Sequence, residues 1–404
     1  MKEDGIEREV TLRARVLETI RKRKENVESG NINCIPSPFV RFRKAFPGLE
    51  QARYYLISAG TKVGKTQLTS YLMYSALDFA YCNTDKLHLK IFYFPLEESE
   101  QEIVLRYMSY LLYELTDRRM RVSPTDLMST DADRIIPEEA LSVLESEEFQ
   151  NRMKFFEEHV EFSEERNCTG IYHVLFNYAK GHGKSIYRSL GYENKEGNEY
   201  KKFDHYVPDD PKEYVIPIVD HVSLLSPERG FDLRESINKL SEYFVILRNR
   251  YGYSPVAVQQ QSTETTSLEA FKSRKIRPTM AGLGDSKYTA HDCDMMLGLC
   301  SPYAYELPNY LGYDVSKFRD NIRFMEVVVN RHGTSNDILA LYFDGATCSF
   351  NELPLPNQVS DIAKVLEFID KRNKVYDTKR GIVLFTHLKW CGKILLNDLH
   401  RFFN

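Results

Sequence analysis

Tyr54-Tyr55-Leu56-Ile57-Ser58-Ala59-Gly60-Thr61-Lys62-Val63-Gly64-Lys65-Thr66 is the stretch on which the reading of this chain turns. It opens on a short apolar run over 54–58, the length of a strand, and an apolar helical stretch over 67–79 follows its glycine loop. Strand, glycine loop and helix in that order point successive backbone N–H groups at one spot, and the helix N-terminus adds partial positive charge. Such a turn cradles phosphate. Ala59, Gly60, Thr61, Lys62, Val63, Gly64, Lys65 and Thr66 fit the pattern G-x-x-x-x-G-K-[ST], except that Ala59 stands in the first glycine position. In that pattern Lys65 is predicted to reach the β- and γ-phosphates and the Thr66 hydroxyl to ligate Mg²⁺. ATP and Mg²⁺ are therefore the expected cofactors. Gly181-His182-Gly183-Lys184-Ser185 is a weaker look-alike. Tyr178 occupies its first glycine position and no suitable strand leads into it, so it is read as a loop.

Strands and helices alternate outward from the loop. Residues 87–94, 214–219 and 256–258 read as strands, with later ones at 294–299, 323–330 and 338–343. Residues 100–115 place Ile103, Tyr107, Leu111 and Leu115 on one helical face. Asp232 is predicted to cap a helix carrying Ile237, Leu240, Phe244 and Leu247 on its apolar side. This order predicts an α/β fold, a P-loop core with a mostly parallel β-sheet flanked by helices on both faces. Residues 117–185 read as mostly helical with a strand near Val160, and 359–372 as a helix. The stretch 186–212 is rich in Tyr, Lys, Asn, Asp and Gly and reads as an inserted surface loop. Residues 6–28 form a charged amphipathic helix in this reading, 30–38 a linker, and 381–404 a mixed tail without assigned function.

With 404 residues the chain has room for one large domain plus additions, or for two domains. Its net charge of −4 argues against a protein whose only task is to coat DNA, but a motor can concentrate positive charge in a few loops. The seven cysteines, at 34, 82, 168, 293, 300, 348 and 391, include no close CxxC pair, so free thiols in a reducing cytosol are expected. No apolar run is long enough for a membrane span, and the first residues show no signal-peptide core. A cytoplasmic protein without membrane contact is the expectation.

Two further carboxylate positions bear on nucleotide chemistry. Asp220 ends the strand 214–219, where an acidic side chain can hold the Mg²⁺ shell. Glu97 and Glu98 end the strand 87–94, and carboxyl ends of parallel strands face the ligand crevice. Either could polarise a water near the γ-phosphate, or both could simply cap the following helix.

The order of these pieces resembles the motor domain of DnaB-type replicative helicases, over about residues 35–353. The resemblance rests on Pro36 to Leu49, on Ala59 to Thr66 with the family's frequent alanine, and on Phe94 to Arg106. It continues in Val219-Asp220 with Leu224-Leu225, Pro255 to Gln261, Arg277 to Asp294, and Asn330-Arg331-His332-Gly333. It implies a RecA-like core preceded by a linker-type helix at 1–30 and followed by an extension at 354–404, with the polar insertion near 186–212. It also implies catalytic roles: Glu97 activating water, Gln261 in preference to Gln260 sensing the γ-phosphate, and Arg331 as an arginine finger for the neighbouring subunit. Asp220 and Thr66 become metal ligands. Loops at about 226–234 and 282–288, with Asp285, Ser286 and Lys287, would contact single-stranded DNA. A homo-oligomer, a hexameric ring, is implied, with DNA unwinding during replication, with primase, polymerase or a loader as further partners, and with a bacterial or phage-infected cytoplasm as the setting.

Three departures qualify the resemblance. Val329 replaces a lysine two residues before the finger arginine, Gly284-Asp285-Ser286-Lys287 replaces an Arg-Glu pair, and only about 38 residues precede the match, too few for the family's collar domain. Clock-type and recombinase-type ATPases share the core and assemble without unwinding, which is the alternative reading.

Overall fold

The computed structural model describes residues 12–130, 134–193, 199–262 and 276–377. Among these, nine strands form the main sheet: β1 (Tyr55–Ala59), β2 (His88–Pro95), β3 (Val160–Phe162), β4 (Glu213–Asp220), β5 (Val256–Gln260), β6 (Met295–Cys300), β7 (Ile322–Asn330), β8 (Ile338–Asp344) and β9 (Ser349–Glu352). Their order across the sheet is β9-β8-β7-β6-β1-β5-β4-β2-β3. From β6 to β3 every pairing is parallel. From β6 to β9 every pairing is antiparallel. The α/β fold with a mostly parallel sheet is thus present, and the loop-bearing strand β1 lies near its centre.

Period-two alternation sorts the side chains of each central strand between two cores. Tyr55, Ile57 and Ala59 of β1, with Leu89, Ile91 and Tyr93 of β2, face one core. That core is completed by helices α2 (Lys65–Tyr81), α3 (Glu100–Leu115) and α4 (Glu147–His159). The intervening Leu56, Phe92 and Phe94 face the other, covered by α5 (Cys168–Gly181) and α6 (Leu233–Tyr251). Burial on both faces is why these strands read as nearly continuous apolar runs. A third core, under the antiparallel strands, packs Phe324 and Tyr342 against Val365, Leu366 and Ile369 of α7 (Val359–Asp377).

The helix ends follow from local chemistry. Asp232 caps α6 and forms a reciprocal capping box with Glu235, and Gly252 closes its far end at φ 74°. Ser99 and Glu102 form the same box on α3. An N-terminal helix, α1, is present over Leu12–Glu28, with Val16, Leu17, Ile20 and Val27 exposed.

Two expectations change. Most of the stretch 186–212 belongs to an antiparallel ribbon, Gly183–Glu193 paired with Glu199–Pro208. Its base is anchored where Tyr206 donates to Ala179 O and stacks edge-on against Tyr251. The Gly181–Ser185 look-alike runs from helix into strand, the reverse of the order a phosphate loop needs. The tail 381–404 lies outside the described residues, as do residues 6–11 of the expected first helix.

Candidate nucleotide site

Register brings the candidate residues to one edge of the sheet. Ala59 at the end of β1 pairs with Gln260 of β5, and Pro95 of β2 pairs with Asp220 of β4. The phosphate loop therefore sits at the carboxyl ends of the parallel strands, where α/β sheets bind ligands. Ala59 is an ordinary extended residue with its Cβ in the core, so this position has no need of glycine. Gly64 does: its φ is +108°, while a Cβ there would meet nothing closer than 3.6 Å, so backbone conformation rather than space demands glycine. Lys62 at the loop crest is also left-handed, at φ 59°. The N–H groups in the first turn of α2 have no intrahelical acceptors and open toward the same crevice.

A residue not singled out from sequence braces the loop from below. Arg323 of β7 is buried and donates from Nε to Val63 O at 2.7 Å, with its guanidinium over the Phe343 ring. No local pattern marks it, because its partner is 260 residues away in sequence.

Lys65, Thr66, Glu97 and Asp220 converge. Thr66 Oγ1 donates to Asp220 Oδ1 at 3.2 Å, and Tyr93 donates to Oδ2 at 3.1 Å. Burial pushes the Asp220 carboxyl up to about 6, against Lys65 and the two hydroxyls that pull it down. A cation beside it would favour the ionised form further. One carboxylate and one hydroxyl suit a hard ion such as Mg²⁺, which keeps most of its own waters and needs few protein oxygens.

Glu97 and Glu98 separate clearly. Glu98 is tied to Arg106 at 2.7 Å. Glu97 lies 4.0 Å from Lys65 Nζ and 3.3 Å from His221 Nε2. Neither caps α3, since Ser99 and Glu102 do that. Leu96 is pinned on both sides, its N–H donating to Asp220 O and its carbonyl accepting from Arg166. That clamp sets where Glu97 emerges.

The glutamine register also resolves into separate roles. Gln260 donates from Nε2 to Thr61 Oγ1 in the phosphate loop, at 2.6 Å. Gln261, the residue favoured from the resemblance, is buried instead, donating to Ser58 Oγ at 2.8 Å and to Thr279 O at 3.2 Å. Gln259 is buried and donates to Gly284 O and Ser286 O. Alternation along the strand sends consecutive side chains to opposite faces, which is why the Gln260 side chain reaches Thr61 while that of Gln261 turns into the interior.

Of the residues expected to contact DNA, Asp285 and Lys287 are exposed. Ser286 is buried and holds the loop together, donating to Asn238 and accepting from Tyr288 N–H. Arg234, exposed in the first turn of α6, donates to Asp285 O at 3.0 Å and joins the two segments. Arg234 falls at the end of the stretch 226–234 expected to contact DNA, and this contact sets it apart there.

Arg331 stands at the other end of the sheet. Asn330 pairs with Met295, and Met295 with Tyr55, at the start of β1 rather than at its loop end. At about 3.3 Å per residue, the loop is some 15 Å further along the strand. Arg331 is exposed, and its guanidinium meets His291 O. It does not join the site of its own chain.

Among solved structures, one described as an ATPase domain superposes with a TM-score of 0.59 at 16% identity, covering 84% of this chain and 99% of that one. A structure of a DnaB-like replicative helicase, described with its interactions with primase, gives a TM-score of 0.58 at 16% identity. There the match covers 83% of this chain and 66% of the other. The fold is that of a DnaB-like helicase ATPase domain. No protein-family profile and no curated sequence matches the chain. No helix among the described residues is long and apolar enough to cross a membrane.

Proposed function

We propose that the chain is an ATP-hydrolysing DNA helicase motor of the DnaB type, acting in replication as a ring with ATP at each subunit interface. One observation supports this reading: Lys65, Thr66, Glu97 and Asp220 converge at one end of the sheet, while Arg331 lies at the other. Lys65 is placed to neutralise the phosphates, Thr66 and Asp220 to hold Mg²⁺, and Glu97 to orient the attacking water. The metal supplies charge stabilisation at the phosphoryl oxygens. Arg331 serves the next subunit. The exposed Lys287 and Arg234, with backbone amides of their loops, hold single-stranded DNA by its phosphates and so read no sequence.

A forked duplex tests the whole proposal. Strand release that requires hydrolysable ATP is the expected result, and turnover without any release favours the alternative of an oligomeric switch. Replacing both Lys287 and Arg234 with alanine is expected to weaken single-strand binding and to flatten its salt dependence by about one log unit per lost contact. An unchanged salt slope in a binding titration would remove these residues from the DNA path.

The glutamines supply a further test. Gln260→Ala is expected to lower turnover by about 10- to 100-fold while leaving the fold intact. Gln261→Ala strands buried polar groups, at a cost of about 1–3 kcal/mol, and should act mainly by lowering the thermal midpoint. The reverse assignment of the two effects would restore Gln261 as the sensor.

A further inference from the structure

We propose that His221 is a positioning residue for hydrolysis, holding the Glu97 carboxylate in place through its ring Nε2. The inference rests on the ATPase reading above and adds a member to that site. His221 directly follows Asp220, at the end of β4, and its side chain is buried beneath the crevice. Its Nε2 lies 3.3 Å from Glu97 Oε2. Glu97 itself is half exposed and emerges from a short loop, so its backbone clamp at Leu96 leaves the carboxylate free to swing.

Two cationic or N–H groups face Glu97, and they differ in what nucleotide does to them. Lys65, at 4.0 Å, is the group that phosphates recruit. Once it turns to them it can no longer hold the carboxylate. His221 has no phosphate to serve, so its contact persists through the step in which Glu97 must point at water. Catalytic contacts of this kind are commonly long before substrate binds and tighten afterwards.

The ring bears a cost that packing does not explain. Its Nδ1 is buried with no hydrogen-bond partner among the described residues. An apolar side chain of the same size would fill the space without stranding a polar atom. The Nε2 contact is the feature that distinguishes histidine there.

The test compares His221→Phe with His221→Gln in the full chain, measuring steady-state ATP turnover and the affinity for a fluorescent ATP analogue. Phenylalanine keeps the volume and removes the N–H. Glutamine keeps a side-chain N–H at nearly the same reach. The expected result is a kcat lowered by about 10- to 100-fold in the phenylalanine variant, the KM for ATP and analogue affinity within about twofold of wild type, and recovery of most turnover by glutamine. Full turnover in the phenylalanine variant, or an equal loss in both variants, overturns the proposal. So does a loss of analogue affinity that parallels the loss of kcat, because His221 would then be shaping the pocket rather than aiming Glu97. A wild-type chain without ATP turnover would instead sink the ATPase reading, and this inference with it.

Discussion

Lys65→Ala is expected to cut ATP turnover by about 10²- to 10³-fold without unfolding the chain. The side chain is buried at the start of α2 and contributes no apolar anchor, so its removal leaves both cores intact. What disappears is the ammonium that lies beside Asp220 and Glu97 at the phosphate loop. The two carboxylates would then face the nucleotide's own negative charge with less compensation, and binding should weaken along with turnover. The measurement is phosphate release at saturating ATP, with circular dichroism to confirm the fold. Turnover that survives the substitution contradicts the assignment of this loop.

Arg331→Ala is expected to lower turnover by about 10³- to 10⁵-fold, the range for an arginine finger, with little change in ATP affinity. The guanidinium lies at the opposite end of the sheet from its own phosphate loop, so any effect on hydrolysis must come through a second chain. Arg331 is held at its base by its N–H to Asp294 O, and Asp294 in turn meets His332 and Arg248. That anchoring presents the side chain at a fixed place on the surface. Mixing gives the sharper form of the prediction. Lys65→Ala and Arg331→Ala chains are each nearly inactive alone. Mixed, some interfaces join an intact loop from one variant to an intact finger from the other, and turnover should reappear. A mixture as inactive as its parts would mean that Arg331 does not act across an interface.

Local chemistry made the centre of the molecule legible. The loop at Ala59–Thr66, the strand ending in Asp220 and the Asp232 cap are each written in consecutive residues, and each forms where the sequence placed it. Residues 100–115 formed a helix with those bounds because period, cap and apolar face agreed. What escaped the reading depends on partners remote in sequence or on strand parity. The Arg323 brace spans 260 residues. The choice between Gln260 and Gln261 turns on which face a single step of the strand presents. The antiparallel half of the sheet looked like more of the same strands, since apolar runs carry no mark of direction. The ribbon at 183–208 holds few aliphatic residues, and its pairs, such as Tyr187 with Phe203 and Arg188 with Lys202, are of types that composition alone reads as loop.

The central claim is that hydrolysis at this loop is harnessed to a single strand of DNA. Gln259 donates to Gly284 O and Ser286 O, so the strand beside the loop is hydrogen-bonded to the segment proposed to hold DNA. The most direct test is ATP turnover by the wild-type chain, measured with and without a single-stranded oligonucleotide of mixed sequence. The account predicts turnover that rises with the oligonucleotide and saturates with its concentration. Turnover indifferent to DNA at every concentration would contradict it and leave an ATP-driven switch in its place.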